Sequence, residues 1–280
     1  MSYDPEIQNK TSRLDPYAPC SLRYAYSSMK NQSQLLAPVD VAGGQDSVSH
    51  SLNVLASVYN YNHWIFSMIR DHLGDSVLEV GAGIGNITRF MLNVDRLVCL
   101  EPYAPYHAYL ARHFSKHLNV EVVASPVEEC PNDRVPEGAF DAIVCLNVLE
   151  HIADDGDVLI RCNKLLKPGG KMIVLVPALS CLYGEMDRAM GHIRRYSKRS
   201  LGLRFREAGL KTIDSRYMNM PGVLGWWWQG RILRRSLIPE QGTRLFDRCV
   251  PYILAFERIM PIPIGQSLVM VGEKAVNSKE

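Results

Sequence analysis

Val77–Thr88 reads VLEVGAGIGNIT, an apolar run that passes into three alternating glycines, Gly81, Gly83 and Gly85. An apolar run bounded by glycines predicts a buried strand, and bare glycine backbone lets a ligand approach closely because no Cβ stands in the way. An acid, Glu79, precedes the glycines, and a second, Glu101, ends the next apolar run, RLVCLE (Arg96–Glu101). An acid at the tip of the second strand is placed to accept hydrogen bonds from ribose hydroxyls. These features describe a pocket for an adenosine-containing cofactor. A dinucleotide site calls for G-x-G-x-x-G facing a pyrophosphate. Here the spacing is G-x-G-x-G, with Asn86 where the third dinucleotide glycine would stand, which argues against NAD.

Three further segments follow in order: FDAIVCLN with VLEHI (Phe140–Ile152), a buried strand and its continuation; LLKPGG (Leu165–Gly170), expected to end a helix in a Pro-Gly-Gly turn; and KMIVLVP (Lys171–Pro177), the next strand. With these in place, Ser76–Met218, about half the chain, resembles the class I S-adenosylmethionine-dependent methyltransferases. The resemblance implies a Rossmann-like α/β fold and S-adenosyl-L-methionine as cofactor. It places Glu79, Gly81, Gly83 and Gly85 at the methionine end and Glu101 with Pro102 at the ribose. Asn147 then borders the methyl donor. The adenine falls near Ser125, Pro126 and Val127. Family members often carry an acid there; this chain has Pro126, so Ser125 or a backbone amide takes the contact.

The charge is nearly balanced, at formal net +2 over 280 residues. That is no polyanion signature, and no nucleic-acid partner is expected. The seven cysteines are scattered with no C-x-x-C pair, as expected in a reducing compartment. The polar start MSYDPEIQNK carries no apolar secretory core, and no apolar run reaches the ~18 residues of a membrane span. The expectation is a cytoplasmic protein.

Residues 1–46 lack periodicity and read as a partly disordered arm. Residues 47–75 carry apolar positions at helical spacing and are expected to cover the cofactor. Residues 76–218 alternate strands and helices, implying a parallel sheet covered on both faces. Helices are expected near 85–93, 104–117, 154–166 and 198–208. Residues 219–266 are too long for a turn and predict a helical cap. Residues 267–280 supply a seventh, antiparallel strand and a tail.

Methyl transfer is a displacement at an already activated carbon, so the protein must position the acceptor and, for a poor nucleophile, remove its proton. One candidate base is His151, next to Glu150. Some quinone-biosynthesis relatives hold a divalent metal with Glu-x-x-Glu-His at this place; here Asn147 replaces the first carboxylate, and no metal is expected. The other candidate is His192 with Asp187 as its orienting carboxylate, in LYGEMDRAMGHIRRY (Leu182–Tyr196). This stretch resembles the D-x-x-x-G-H-x-R-R-Y of a bacterial subgroup. Arg194 or Arg195 suits an acidic acceptor, and Tyr196, Tyr59 and Trp226 are candidate acceptor contacts. For each, packing or loop pinning is the plainer alternative. Trp226, Trp227 and Trp228 with Arg231, Arg234 and Arg235 suit a packed cap, a dimer face or peripheral membrane contact.

The leading expectation is methyl transfer to a small-molecule acceptor, most readily an oxygen of an apolar, lipid-like or secondary-metabolite compound. A membrane-surface glycan or lipid-carrier methyltransferase and a non-catalytic S-adenosylmethionine-binding module are the alternatives. Monomer and homodimer are both open.

Overall fold

The computed structural model describes residues 47–260 and 262–276. The segment read as an arm, 1–46, lies outside the described residues, as do Pro261 and residues 277–280. The described residues belong to one unit, Val39–Glu280; the other, Met1–Pro38, lies wholly outside them.

Seven strands form one sheet: β1 (Ser76–Val80), β2 (Arg96–Leu100), β3 (Val120–Val123), β4 (Phe140–Leu146), β5 (Leu166–Pro177), β6 (Leu210–Met218) and β7 (Ser267–Lys274), in the order β3-β2-β1-β4-β5-β7-β6. The first five are parallel, and β7 runs antiparallel between β5 and β6. The apolar strands are near-continuous because both faces are covered. Leu78, Val98, Ile143 and Val174 point into one core; Val77, Leu97, Val144 and Ile173 alternate into the other.

The chain reverses direction across the sheet between β1 and β4, the crevice where open parallel sheets take ligands. Val80 pairs with Leu100 on one side and Cys145 on the other. Gly81, Glu101 and Asn147 therefore emerge at one carboxyl edge.

Eight α-helices occur among the described residues: α1 (Ser47–Ala56), α2 (Tyr59–Ile69), α3 (Ala104–His113), α4 (Asp155–Leu165), α5 (Glu185–Ala189), α6 (Lys198–Glu207), α7 (Met220–Trp227) and α8 (Glu240–Ile259). A π-helical turn, Trp228–Ile232, continues α7. None is long and apolar enough to cross a membrane. Two carboxylates of α8 hold other helices by their N-termini, where unpaired amides and the helix dipole favour an anion. Asp247 accepts from the amides of Asn60 and Tyr61 at the start of α2. Glu257 accepts from those of Asn219 and Met220 at the start of α7.

Two expectations are corrected. The helix expected near 85–93 is one short turn, Thr88–Phe90. Positive φ persists through Gly85 at 84°, and the Thr88 hydroxyl donates to the buried Glu79 carboxylate at 2.6 Å, drawing the chain under β1. The Pro-Gly-Gly turn expected after α4 is a bulge inside β5. Leu166 pairs with Phe140 and the next pair is Lys171 with Ala142, leaving Lys167–Gly170 as the excess. All six cysteines among the described residues are free.

Gly272 of β7 lies under the Phe205 ring, and a Cβ there would stand 2.6 Å from Phe205 Cδ2. Gly272→Ala is expected to destabilise the protein by about 1–3 kcal/mol through overpacking. Urea unfolding should show a lower midpoint with an unchanged slope.

Candidate functional site

A cavity of about 520 Å³ opens at the carboxyl edge of β1 and β4, within the range of small-molecule sites. Glu79, Gly81, Gly83 and Asn147 form one wall. Gly81 and Gly83 have φ of 71° and 59°, and a Cβ on Gly81 would meet Val148 Cγ2 at 2.5 Å. At Gly81 both the conformation and the clash disfavour a side chain, and at Gly83 the conformation alone does, so bare backbone faces the cavity. Glu101 stands behind this loop: Oε2 accepts from the Gly83 amide at 2.7 Å and Oε1 from the Tyr103 amide at 2.9 Å. Asn147 holds a left-handed conformation, φ 54°, which asparagine tolerates better than most residues.

The opposite wall comes from the segment after β5 and from α7. Asp187 is fully buried behind this wall, and its carboxylate binds the side chains that form it. Oδ1 accepts from His192 Nδ1 at 2.9 Å and Arg195 Nε at 2.8 Å. Oδ2 accepts from the Gly184 amide at 3.0 Å and Trp226 Nε1 at 3.2 Å. Burial alone would raise the Asp187 pKa; the bonds from His192 and Arg195 outweigh it and hold the carboxyl below its ordinary range. In a neutral His192 ring, an ionised Asp187 fixes the tautomer with the proton on Nδ1, and Nε2 is then an acceptor. His192, Arg195 and Trp226 all line the cavity, and the Arg195 guanidinium lies 4.9 Å from the centre of the Trp226 ring. Arg195 also donates from Nη1 to the Ala178 carbonyl, while its buried Nη2 has no partner.

His151 lies on the cavity wall, its ring 4.9 Å from that of His192. Crowding by protein on its inner side, then the His192 ring, push its pKa down to about 4, so it is neutral at neutral pH. Glu150 is fully buried behind the two rings. Its Oε1 is 4.0 Å from His192 Nε2, and neither carboxyl oxygen has a hydrogen-bond partner. Burial pushes its pKa up to about 8, opposed by Arg195. Glu150, His151 and His192 bring one potential ligand atom each within 4.8 Å of one another, a grouping that can hold a metal ion.

Several residues singled out from sequence are not brought to the cavity wall. Arg194 pairs with the buried Asp155 at 2.9 Å, and the Tyr196 hydroxyl donates to the same carboxylate at 2.7 Å. Asp155 is 2% exposed and needs those donors, so both side chains are spent on it. Tyr59 stacks on His63 and leans on Phe90. Gly85 faces Phe114 and Leu110 in the core. Pro102 is exposed, Val127 is in the core, and Ser125 donates to the carbonyl of Pro126. Conversely, Asn62, Asn219 and Gln229 line the cavity without having been singled out. Asn219 had a signal: Asn-Met-Pro-Gly is a helix-start pattern, and its Oδ1 accepts from the Gly222 amide at 2.9 Å.

A family model described as a methyltransferase domain matches residues 51–215. The chain belongs to this methyltransferase family. It is 31% identical over 135 residues to the ubiquinone biosynthesis O-methyltransferase of Xanthomonas oryzae pv. oryzae (strain PXO99A), covering 48% of this chain and 53% of that protein. The chain thus matches about half the length of its curated relatives. Among solved structures, geranyl diphosphate C-methyltransferase from Streptomyces coelicolor A3(2), in complex with Mg²⁺, geranyl diphosphate and S-adenosyl-L-homocysteine, superposes with TM-score 0.56 at 14% identity, over 86% of this chain and 90% of that one. The 4+2 cyclase SpnF superposes with TM-score 0.55 at 17% identity, over 92% and 95%. Likenesses at such identities establish the fold alone. The bare Gly81–Gly83 backbone with two carboxylates around it suits S-adenosyl-L-methionine, the cofactor that the sequence resemblance implies.

Glu79 gives the donor site a measurable pH signature. Burial pushes its pKa up to about 7, opposed by the Thr88 and Cys99 hydrogen bonds. Below about 7 the ligand-free carboxyl is protonated; above it, ionised. If Glu79 meets the donor's ammonium group, affinity is gained as pH rises through about 7 and lost as it falls. Between pH 6 and 7, below the donor's own amine pKa, the gain should be about fivefold. Calorimetric titration with S-adenosyl-L-methionine should show this slope in the wild type and a flat response in Glu79→Gln.

Proposed function

We propose that the protein methylates an oxygen of a small, largely apolar acceptor, with His192 as the general base. The observation that carries this reading is the buried Asp187–His192 pair at the cavity wall. A hydroxyl is a poor nucleophile, and a positioned base that takes its proton lowers the barrier. The O-methyltransferase named among the relatives is consistent with an oxygen acceptor. Leu55, Ile65, Met186, Met190 and Phe246 around the cavity suit an apolar body.

In this reading Glu79, the Gly81–Gly83 backbone, Glu101 and Asn147 hold the cofactor, which supplies a methyl group on a positively charged sulfur. The acceptor hydroxyl lies between that methyl and His192 Nε2. The oxygen forms the new bond to carbon as the carbon–sulfur bond breaks, and the hydroxyl proton passes to Nε2. Asp187 keeps the ring oriented and faces the imidazolium that results. Trp226 packs beside the acceptor. The unpartnered Arg195 Nη2 is a donor for a carboxylate, phenolate or carbonyl oxygen elsewhere on the acceptor, since a buried donor left unpaired is costly.

A second reading rests on Glu150. A fully buried carboxyl with no partner beside two imidazoles is suited to a divalent cation, which would orient the acceptor oxygen and acidify its proton. His192 would then be a ligand and not a base.

Two measurements test these readings. His192→Ala should lower kcat at saturating donor by about 10²–10⁴-fold, whereas His151→Ala should leave donor affinity intact and lower turnover far less. Equal, small effects would remove histidine as base. Dialysis against a chelator should leave activity unchanged; loss restored by Mg²⁺ or Zn²⁺ would favour the second reading.

A further inference from the structure

The segment between α7 and α8 is exposed in an unusual way. Every residue from Arg231 to Leu237 is exposed, and the run is Arg-Ile-Leu-Arg-Arg-Ser-Leu. Just upstream, Leu224 is 72% exposed and Trp228 52%, with Trp227 also exposed. Soluble surfaces seldom keep so many large apolar side chains together without a use for them. From Asn219 to Pro239 the chain has three arginines and no Asp, Glu or Lys. Residues on both sides of this surface line the cavity: Trp226 and Gln229 before it, Ile238 and Pro239 after it. The apolar and basic surface therefore borders the cavity.

We propose that this surface docks the protein on an anionic phospholipid leaflet. Trp227, Trp228, Leu224, Ile232, Leu233 and Leu237 would enter the interface, and Arg234 and Arg235 would lie among the lipid phosphates. Tryptophan with arginine is the composition suited to that boundary: amphipathic rings sit at headgroup depth, and the arginine stem stays apolar while its head meets the anion. A second copy of the chain fits less well. A two-fold contact would bring these arginines near their own copies, with no carboxylate in the segment to pair them. Docking there sets the cavity beside the leaflet, so an amphiphilic acceptor reaches the site without crossing water. The docking stands apart from the choice of base and acceptor atom.

Co-sedimentation of the full chain with lipid vesicles tests the proposal. Vesicles in which part of the phosphatidylcholine is replaced by phosphatidylglycerol should retain the protein at low salt, and pure phosphatidylcholine should not. Retention should fall as salt is raised. Arg234→Gln with Arg235→Gln should weaken it by about fivefold per arginine. Trp227→Ser with Trp228→Ser should weaken it without changing S-adenosyl-L-methionine affinity, which also reports that the variant is folded. Arg112→Gln with Lys116→Gln, exposed on and just after α3, should leave retention unchanged. No retention by anionic vesicles would overturn the proposal while leaving methyl transfer unaffected. So would an equal loss in the α3 variant, or patch variants that convert a dimer to a monomer in analytical ultracentrifugation.

Discussion

Asp187 receives four hydrogen bonds, from an amide, an imidazole, a guanidinium and an indole, and the donors come from two separate parts of the chain. A buried carboxylate is costly unless it is paired and fully bonded, so the donors cannot be rearranged singly. That constraint fixes His192 and Arg195 on the cavity wall and ties Trp226 of α7 to the segment after β5. The two parts of that wall are thus placed by one shared group. The orientation of His192 is set by a group that never touches the cavity.

Electrostatics of the same kind assemble the helices over the strand edge. Asp247 and Glu257 lie on one helix, α8, and each caps the N-terminus of another. Between them they hold α2 and α7, whose residues Tyr61, Asn62, Gly222 and Trp226 face the cavity. The sheet, by contrast, is held by apolar burial on both faces. The wall of the glycine loop therefore rests on the core, and the wall that carries His192 rests on capped helices and one buried carboxylate.

This division explains what was legible in the sequence. Strands buried on both faces are near-continuous apolar runs, so β1, β2, β4 and the second half of β5 could be read directly, as could the glycine loop and Glu101. The helix expected after Gly85 failed because a side-chain bond, Thr88 to Glu79, competes with the backbone, and no periodicity records such a bond. Arg194 and Tyr196 sit in a motif that looks chemical, yet Asp155, far away in sequence, takes both. Asp187, His192 and Arg195 stand close enough in sequence to be grouped, but their link to Trp226 spans |i−j| = 39 and has no local sign. Glu150 looked like a neighbour of His151; only the fold buries it without a partner.

Asn219 and Gln266 meet where the long excursion from the sheet begins and ends. The Asn219 side chain donates to Gln266 Oε1 at 2.7 Å, the Gln266 amide donates back to the Asn219 carbonyl at 3.1 Å, and Met218 pairs with Ser267 in the β6–β7 ladder. The excursion thus leaves and rejoins the sheet at a single clasp. Extending a loop already closed adds little entropic cost, because that cost grows only with the logarithm of length. Its length and content can diverge between relatives while the strands and the donor loop stay unchanged. The clasp makes the excursion a detachable unit, one that can be exchanged without moving the frame it springs from.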